Sequence, residues 1–144
     1  MSLKVQDFGM LYGLKAVGGG KITTIDCYFL EHVYNSELLP HIYSVSYKHV
    51  LKRVNAITEE DKDELILYLK DIQPLIYPEE NVVITAFYQG KLGYWFMTIS
   101  CNGHTKREVP LNHAAICWLM KKGYDLHHYI DSGLAVDNET IIEY

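Results

Sequence analysis

The sequence has no long apolar run and few cysteines. No apolar stretch approaches the roughly 18 residues that a membrane-spanning helix needs, and the first residues lack the charged start and apolar segment of a secretory leader. The 3 cysteines, Cys27, Cys101 and Cys117, are odd in number and far apart, which is typical of reduced thiols rather than of a disulfide framework. These absences predict a cytoplasmic protein without a membrane partner. Met1-Ser2-Leu3 resembles a cloning remnant and carries no weight here.

The chain also lacks internal repeats, low-complexity tracts and any linker long enough to separate two domains. With 144 residues, of which 49% are hydrophobic, it has enough apolar material for one core. We therefore expect a single domain over residues 1–144. The net charge of −5 provides no general attraction for nucleic acid or anionic lipid, so the composition argues against both as partners.

Familiar catalytic signatures are missing as well. The glycine run Gly18-Gly19-Gly20 precedes Lys21, but Ile22 stands where a phosphate-binding loop needs Ser or Thr. The sequence has no Gly-x-Ser-x-Gly turn and no recognisable Cys–His signature that would mark a nucleophile. The motifs therefore predict no catalytic residue and no cofactor.

The strongest local signals lie between Leu92 and Tyr124, a stretch that contains both tryptophans. Leu92–Cys101 is rich in aromatic and β-branched residues, and Asn102-Gly103 follows it directly. Asn-Gly is the preferred pair for a type I′ turn, because both central positions need a positive φ. With His104–Val109 as the return strand and Val82–Tyr88 as a preceding strand, the sequence predicts a three-stranded antiparallel meander.

Two main helices are predicted from apolar spacing and from their end signals. Leu111–Lys122 follows a proline, repeats apolar residues at i, i+3, i+4, i+7 and i+8, and stops before a glycine. Thr58–Lys70 starts at a capping threonine with acidic residues in its first turn. Shorter helices are expected over Ser46–Val54 and Asp125–Ile130.

The N-terminal part of the chain is β-prone. Lys21–Tyr34 is the clearest strand candidate, a turn follows at Asn35-Ser36, and a further strand is expected at Ile42–Val45. Val5–Val17 gives mixed signals and fits an irregular segment or a short strand. The order of elements predicts an α+β fold, in which a largely antiparallel sheet of N-terminal strands and the meander is packed by two main helices and a short C-terminal helix.

One set of residues has the spacing of a zinc site. Cys101 and His104 flank the Asn-Gly turn, while His113 and Cys117 lie on one face of the predicted helix. Four ligands of these types suit tetrahedral zinc. Cysteine in apolar surroundings also acts as a small hydrophobic residue, and we favour that interpretation, so no metal is predicted.

A second polar cluster lies near the C-terminus, where His127 and His128 stand beside Asp125 and Asp131. Adjacent positions of a helix point about 100° apart, so one histidine at most would face a given site. This cluster supports the alternative that the protein is a small metal-dependent or His/Asp-based enzyme. Exposed polar residues beside a buried apolar pair are the simpler interpretation.

A basic cluster precedes the helix at Thr58–Lys70. Lys48, His49, Lys52 and Arg53 lie in the first member of a helix pair with helix-turn-helix spacing. The second helix would have to enter the DNA groove, but its first turns are strongly acidic and phosphates would repel them. We therefore expect a solvated basic face, and nucleic-acid association is the lesser alternative.

Tyrosine is abundant, with 12 residues in 144. Tyrosine is enriched at the centres of protein interfaces, and the predicted helices can cover only one face of the sheet. An uncovered aromatic face exceeds what soluble monomers usually expose, so we expect a symmetric homodimer; a monomer with that face covered by the short helices is the alternative. The candidate interface aromatics are Tyr28, Tyr34, Tyr43, Tyr94 and Phe96.

Several segments of the chain form a recognisable combination: Leu11–Lys15, Ser46–Asp61, Trp118–Asp125 and Asp131–Asp137. The last of them ends in Gly-Leu-Ala-Val-Asp. This combination resembles a loose group of small proteins of unknown function that are encoded in phage and prophage regions of gut anaerobes. The resemblance implies a common fold and a mobile-element context, and no catalytic residues. We therefore expect a non-catalytic protein-binding or self-associating accessory protein of a mobile element.

Overall fold

The structure is a computed structural model that describes residues 13–18, 21–38, 47–78 and 80–140. Over these residues the chain forms three α-helices, α1 (Cys27–Leu38), α2 (Glu59–Ile72) and α3 (His113–Lys121). The strands are β1 (Lys15–Gly18), β2 (Lys21–Thr24), β3 (Lys48–Arg53), β4 (Val82–Gln89), β5 (Trp95–Cys101), β6 (Thr105–Pro110), β7 (Tyr124–Asp125) and β8 (Ala135–Asp137). The strand expected at Ile42–Val45 and most of Val5–Val17 lie outside the described residues.

The predicted α+β class is confirmed, and the strands form two sheets. The chain divides into two compact units. The first unit contains the described residues up to Arg53 together with those from Leu119 onward, and the second unit runs from Val54 to Trp118. No helix in the described part of the chain is long and apolar enough to cross a membrane. The single domain expected over residues 1–144 stays a prediction.

The first unit is built on a mixed sheet with β3 in its middle. β1 pairs antiparallel with β2 and with β3, while β7 and β8 each pair parallel with β3. Helix α1 contributes to the core on one face of this sheet. The buried core cluster contains Ala16, Ile25, Phe29, Val33, Leu51 and Ala135. The N-terminal strands thus pair antiparallel as expected, and the C-terminal strands add parallel pairs.

The prediction of a strand through Lys21–Tyr34 is wrong beyond β2, because α1 follows directly. Asp26 caps this helix, since its Oδ1 accepts a hydrogen bond from the backbone N–H of Phe29 at 2.9 Å. Phe29 and Val33, one helical turn apart, are both buried in the core. The cap and the packing of these two side chains therefore override the β propensity of the segment.

The short helix predicted at Ser46–Val54 is also wrong, because residues 48–53 form β3. His49 and Leu51 are buried, while Lys48 is exposed and Val50 is half-buried, as expected for a strand whose side chains alternate between two faces. β3 has β1 as one partner and β7 and β8 as others. These backbone hydrogen bonds to distant segments outweigh the local helix signal.

The short helix predicted at Asp125–Ile130 does not form, since β7 ends at Asp125 and turns follow. The two carboxylate oxygens of Asp125 accept hydrogen bonds from the backbone N–H groups of Tyr129 and Ile130, each at 3.0 Å. His128 has a φ of 58°, in the left-handed region, which interrupts a helix. Asp125 therefore accepts backbone N–H groups as a helix cap does, but it closes a loop instead of starting a helix.

The second unit contains the predicted meander, with β5 between β4 and β6 in antiparallel register. At the β5–β6 turn, Asn102 and Gly103 have φ values of 53° and 74°, and the N–H of His104 donates to the carbonyl of Cys101 at 3.2 Å. Two consecutive positive φ values are those of a type I′ turn. The turn predicted from Asn-Gly is thereby confirmed, while β5 and β6 begin at Trp95 and Thr105 rather than at Leu92 and His104.

Helix α2 is confirmed close to its predicted bounds. The hydroxyl of Thr58 accepts a hydrogen bond from the N–H of Asp61 at 3.1 Å, which is the expected cap. Its buried residues are Leu65, Ile66 and Leu69, and the helix packs next to β4. These side chains, together with one face of the meander, form the core of the second unit.

Helix α3 is confirmed but begins later than predicted, at His113 rather than Leu111. The side-chain oxygen of Asn112 accepts a hydrogen bond from the N–H of Ala115 at 2.9 Å, so Asn112 is the cap. Pro110 is the last residue of β6 and not the first of the helix. A proline is tolerated there because β6, in the part of the chain that the structure describes, pairs with β5 alone and so lies at a sheet edge.

Candidate binding surface and the other predicted sites

The four candidate zinc ligands are dispersed in the second unit. Cys101 is buried at the end of β5, whereas His104 and His113 are exposed. Only the helical pair comes together, with 3.4 Å between the Sγ of Cys117 and the Nε2 of His113. Within the described ranges, no group of three or more His, Cys, Asp or Glu residues could hold a metal ion. Cys101 points into the core because it shares a strand face with buried residues, a placement that the spacing of the four residues does not show.

The C-terminal histidines and aspartates belong to a structural loop. Asp125 binds backbone N–H groups, as described above, and the Nη1 of Arg53 donates to Asp131 at 2.9 Å. The Nε of Arg53 donates to Asp137 at 3.0 Å, and these hydrogen bonds raise the pKa of Arg53 above its ordinary value. His128 lies 3.9 Å from Asp131. Asp131 and Asp137 thus hold the C-terminal segment to Arg53 of β3, whereas Asp125 binds within the loop itself.

The basic cluster does not form one surface, because it lies on a strand and not on a helix. Lys48 and Lys52 are on one face of β3, and His49 and Arg53 are on the other. His49 is fully buried, and Arg53 is paired with carboxylates. The Nζ of Lys52 lies 4.5 Å from the ring centre of Tyr124. The structure therefore separates the four side chains that the sequence places side by side.

The candidate interface aromatics belong to both units. Tyr28 and Tyr34 are exposed on α1 in the first unit. In the second unit, Tyr94 is exposed just before β5, and Phe96 is half-buried on β5 itself. Tyr43 lies outside the described residues. Phe96 belongs to a larger surface, whose residues are defined by the register of the three strands.

That surface is one face of the meander, which we call the open face. The register places three cross-strand rows on it: Val83–Ser100–Lys106, Ala86–Thr98–Glu108 and Tyr88–Phe96–Pro110. None of these nine side chains is buried, whereas the opposite face carries the buried residues Val82, Ile84, Met97, Ile99 and Cys101. The meander thus has one face in the core and one face toward solvent.

A β-bulge determines which residues of β4 lie on the open face. The register shifts between Ile84 and Ala86, and the hydroxyl of Thr85 donates to the carbonyl of Thr98 at 3.1 Å. Simple alternation along β4 would place Ala86 on the same face as the buried Ile84. The extra residue moves Ala86 and Tyr88 to the face of Val83. The sequence carries no signal for this shift.

An aromatic pair covers one end of the open face. The rings of Tyr88 and Phe96 are stacked, with centres 5.3 Å apart and planes at 12°. The hydroxyl of Tyr88 is hydrogen-bonded to the carboxylate of Glu108, which raises the pKa of Tyr88. A Cβ at Gly90 would lie 3.1 Å from the Phe96 ring, so glycine at this position leaves space for the ring. The pair lies on β4 and β5, and the bond to Glu108 connects it to β6.

Strand β6 forms an edge of the same sheet. The N–H of Leu111 donates to the carbonyl of Trp95 at 2.9 Å, and hydrogen bonds alternate along an antiparallel pair. The backbone groups of Lys106 and Glu108 therefore point away from β5. Among the described residues, β6 pairs with no strand other than β5. The open face is thus bordered by a strand edge with alternating charges.

Comparisons of the chain with models of protein families, with curated proteins and with solved structures find no match. The function is therefore argued from the chain's own surfaces. The open face is a surface of the second unit whose cross-strand neighbours are defined by the register, and it combines aromatic, aliphatic and oppositely charged side chains.

Proposed function

We propose that this protein is a non-catalytic binding protein that self-associates through the open face of the meander. The observation that carries the proposal is a sheet face of nine side chains with no buried member and a stacked Tyr88–Phe96 pair. The apolar part of this face consists of Val83, Ala86, Tyr88, Phe96 and Pro110. Adjacent exposed apolar side chains with a polar rim are typical of interaction surfaces, and Tyr and Phe are enriched at interface cores. The proposal also includes the cytoplasmic location and the mobile-element context that we expect from the sequence.

The charges on β6 favour a second copy of the chain as the partner. Lys106 and Glu108 stand two positions apart on the open face, on either side of Arg107. A twofold axis perpendicular to β6 at Arg107 places Lys106 of each copy opposite Glu108 of the other. One axis therefore creates two pairs of opposite charge, which stabilise such contacts. Twofold dimers are also the commonest form of self-association.

The first test changes an aliphatic residue on the open face. Val83 is 46% exposed there, and Leu75, in the turn after α2, is 95% exposed. We expect Val83→Arg to raise the dimer dissociation constant at least about tenfold, a change of about 1.4 kcal/mol, because it places an unpaired charge in the contact. Light scattering should then give the 16.6 kDa of one chain instead of twice that mass.

Leu75→Arg is the matched control, because it adds the same charge at a more exposed aliphatic residue outside the open face. We expect this variant to keep the dimer mass, and both variants to keep the circular dichroism spectrum of the unchanged protein. A mass of one chain for the unchanged protein at all concentrations would contradict the proposal. An equal loss of mass in both variants would contradict the choice of surface.

The second test exchanges the two charges. Lys106→Glu alone places four carboxylates around the twofold axis, and Glu108→Lys alone places four ammonium groups there. We expect each single variant to weaken the dimer about tenfold, since like charges opposite each other are destabilising. The double exchange Lys106→Glu with Glu108→Lys restores both charge pairs but not the hydrogen bond between Tyr88 and Glu108. It should therefore dimerise more tightly than either single variant without reaching the original dissociation constant.

The dissociation constants of the original protein, the two single variants and the double exchange are measured by analytical ultracentrifugation at low and at high salt. Added salt should weaken the original dimer and reduce the difference between the variants, because exposed charge pairs are screened. A double exchange that dimerises no better than either single variant would show that Lys106 and Glu108 do not face each other. The open face would then bind a different protein or a different surface of the second copy.

A further inference from the structure

The first unit contains a cleft that is separate from the open face. Its volume is about 340 Å3, which lies within the range of small-molecule sites in proteins. Its walls include the side chains of Lys21, Thr23, Tyr28, Phe29, His32 and Tyr47. Aromatic rings and a few polar groups around a concave space are the usual composition of a ligand site.

The β1–β2 hairpin forms one wall of this cleft. Thr23 pairs with Ala16, which is buried, so side chains at Thr23 and Lys21 lie on the core face of β2. Lys21 pairs with Gly18 at the end of the hairpin. Because Gly18 has no side chain, the space beside Lys21 is open. The hairpin thus presents one ammonium group and one hydroxyl group to the cleft.

Helix α1 and Tyr47 form the aromatic wall. Tyr28, Phe29 and His32 come from the first two turns of α1. The ring of Tyr47 meets Phe29 edge to face, with centres 4.9 Å apart, and meets His32 in the same way at 5.7 Å. Edge-to-face contacts of this kind fix ring positions. Phe29, His32 and Tyr47 thus form one contiguous aromatic wall.

The charges of the cleft favour a negatively charged group on the ligand. Lys21 supplies a positive charge. Asp26 also borders the cleft, but its Oδ1 is bound to the N–H of Phe29 at the start of α1. The positive end of the helix offsets that carboxylate. Because Asp26 is engaged at the start of α1, Lys21 is the charged side chain of the cleft that we assign to the ligand.

We infer that this cleft binds a small planar aromatic anion, with its ring against Phe29 and Tyr47 and its carboxylate or phosphate on Lys21. A flat ring matches the aromatic wall, and the anionic group complements the ammonium of Lys21. This ligand site is independent of self-association, since it uses residues of the first unit only.

Phenyl phosphate and benzoate are the probes, added to the full-length protein labelled with nitrogen-15 and followed by NMR. We expect saturable shifts of backbone signals in β2 and α1, with a dissociation constant below about 1 mM. Benzyl alcohol, which has the ring without the charge, and inorganic phosphate, which has the charge without the ring, should each bind at least about tenfold more weakly.

Lys21→Gln should weaken phenyl phosphate binding at least about tenfold, because it removes a charged hydrogen bond. Lys48→Gln is the matched control, since Lys48 is an exposed lysine on the opposite face of the same sheet. It should leave the affinity unchanged. Both lysines are exposed, so neither variant threatens the fold.

Val83→Arg, which is designed to prevent self-association, should bind the probe with unchanged affinity. The absence of saturable shifts would overturn the inference. Equal binding of benzyl alcohol, or equal losses in Lys21→Gln and Lys48→Gln, would overturn it as well. A failed dimer test with an intact probe titration would reject the proposed function and leave this site standing.

Discussion

Replacing Leu69 by alanine is expected to lower the free energy of unfolding by about 2–5 kcal/mol. Leu69 is 0% exposed on the inner side of α2, among the residues that pack next to β4. Truncation removes buried methyl groups and leaves a cavity in a well-packed core. Urea unfolding, followed by the fluorescence of the tryptophans, measures the change.

Leu67→Ala is the matched control for this experiment. Leu67 lies two positions earlier on the same helix and is 67% exposed. The change in helix propensity is the same for both substitutions, so the difference between them isolates burial. We expect Leu67→Ala to change stability by less than about 0.5 kcal/mol. Equal effects at the two positions would mean that α2 packs through another face.

Asp125→Ala is expected to lower the free energy of unfolding by about 3 kcal/mol. The side chain is 8% exposed, and its two oxygens accept hydrogen bonds from the N–H groups of Tyr129 and Ile130. Hydrogen bonds to a charged group contribute about 1.5–3 kcal/mol each, and unsatisfied buried donors are costly. Thermal and urea unfolding report the overall loss.

Two variants sharpen the Asp125 experiment. Asp125→Asn keeps one acceptor oxygen and should fall between the original protein and Asp125→Ala. Asp71→Ala removes an exposed carboxylate from α2 and should change stability by less than about 0.5 kcal/mol. Hydrogen exchange of the Tyr129 and Ile130 amides should accelerate in Asp125→Ala. Unchanged exchange at both amides would contradict the bonds described here.

The parts of the fold that could be predicted from the sequence are those set by neighbouring residues. Asn102-Gly103 requires two positive φ values and so defines a hairpin turn on its own. Thr58 with Asp61 defines the start of α2 in the same way. In both places the relevant hydrogen bond joins residues three positions apart, and the sequence displays both partners.

The incorrect predictions involve segments whose structure depends on distant partners. β3 is a strand because β1, β7 and β8 pair with it, and two of those partners lie more than seventy residues further along the chain. The loop after β7 is held by Arg53, whose bonds to Asp131 and Asp137 span 78 and 84 positions. No short stretch of sequence contains both partners of such a pair. The predictions for these segments therefore depended on local secondary-structure propensity alone.

The open face was predicted only in part. The sequence indicates an aromatic face on β5, and Phe96 lies on it as expected. Val83 and Ala86 come to the same face only through the bulge at Thr85. The cleft beside α1 was not predicted, because the segment that forms α1 was interpreted as a strand. In both cases the segment has a different periodicity from the predicted strand, because β4 contains a bulge and α1 is a helix. Different side chains therefore share a face.

The connectivity of the two units sets the order in which the chain can fold during its synthesis. The second unit is one continuous segment, Val54–Trp118, so all of its strands and α2 are available once that segment has left the ribosome. The first unit is discontinuous: β3 is made early, but its parallel partners β7 and β8 are made at the end of the described chain. Contacts of such long sequence separation form slowly because a long loop must close first. Until then, β3 has an unsatisfied edge, and a strand edge without its partner is a surface on which nascent chains associate.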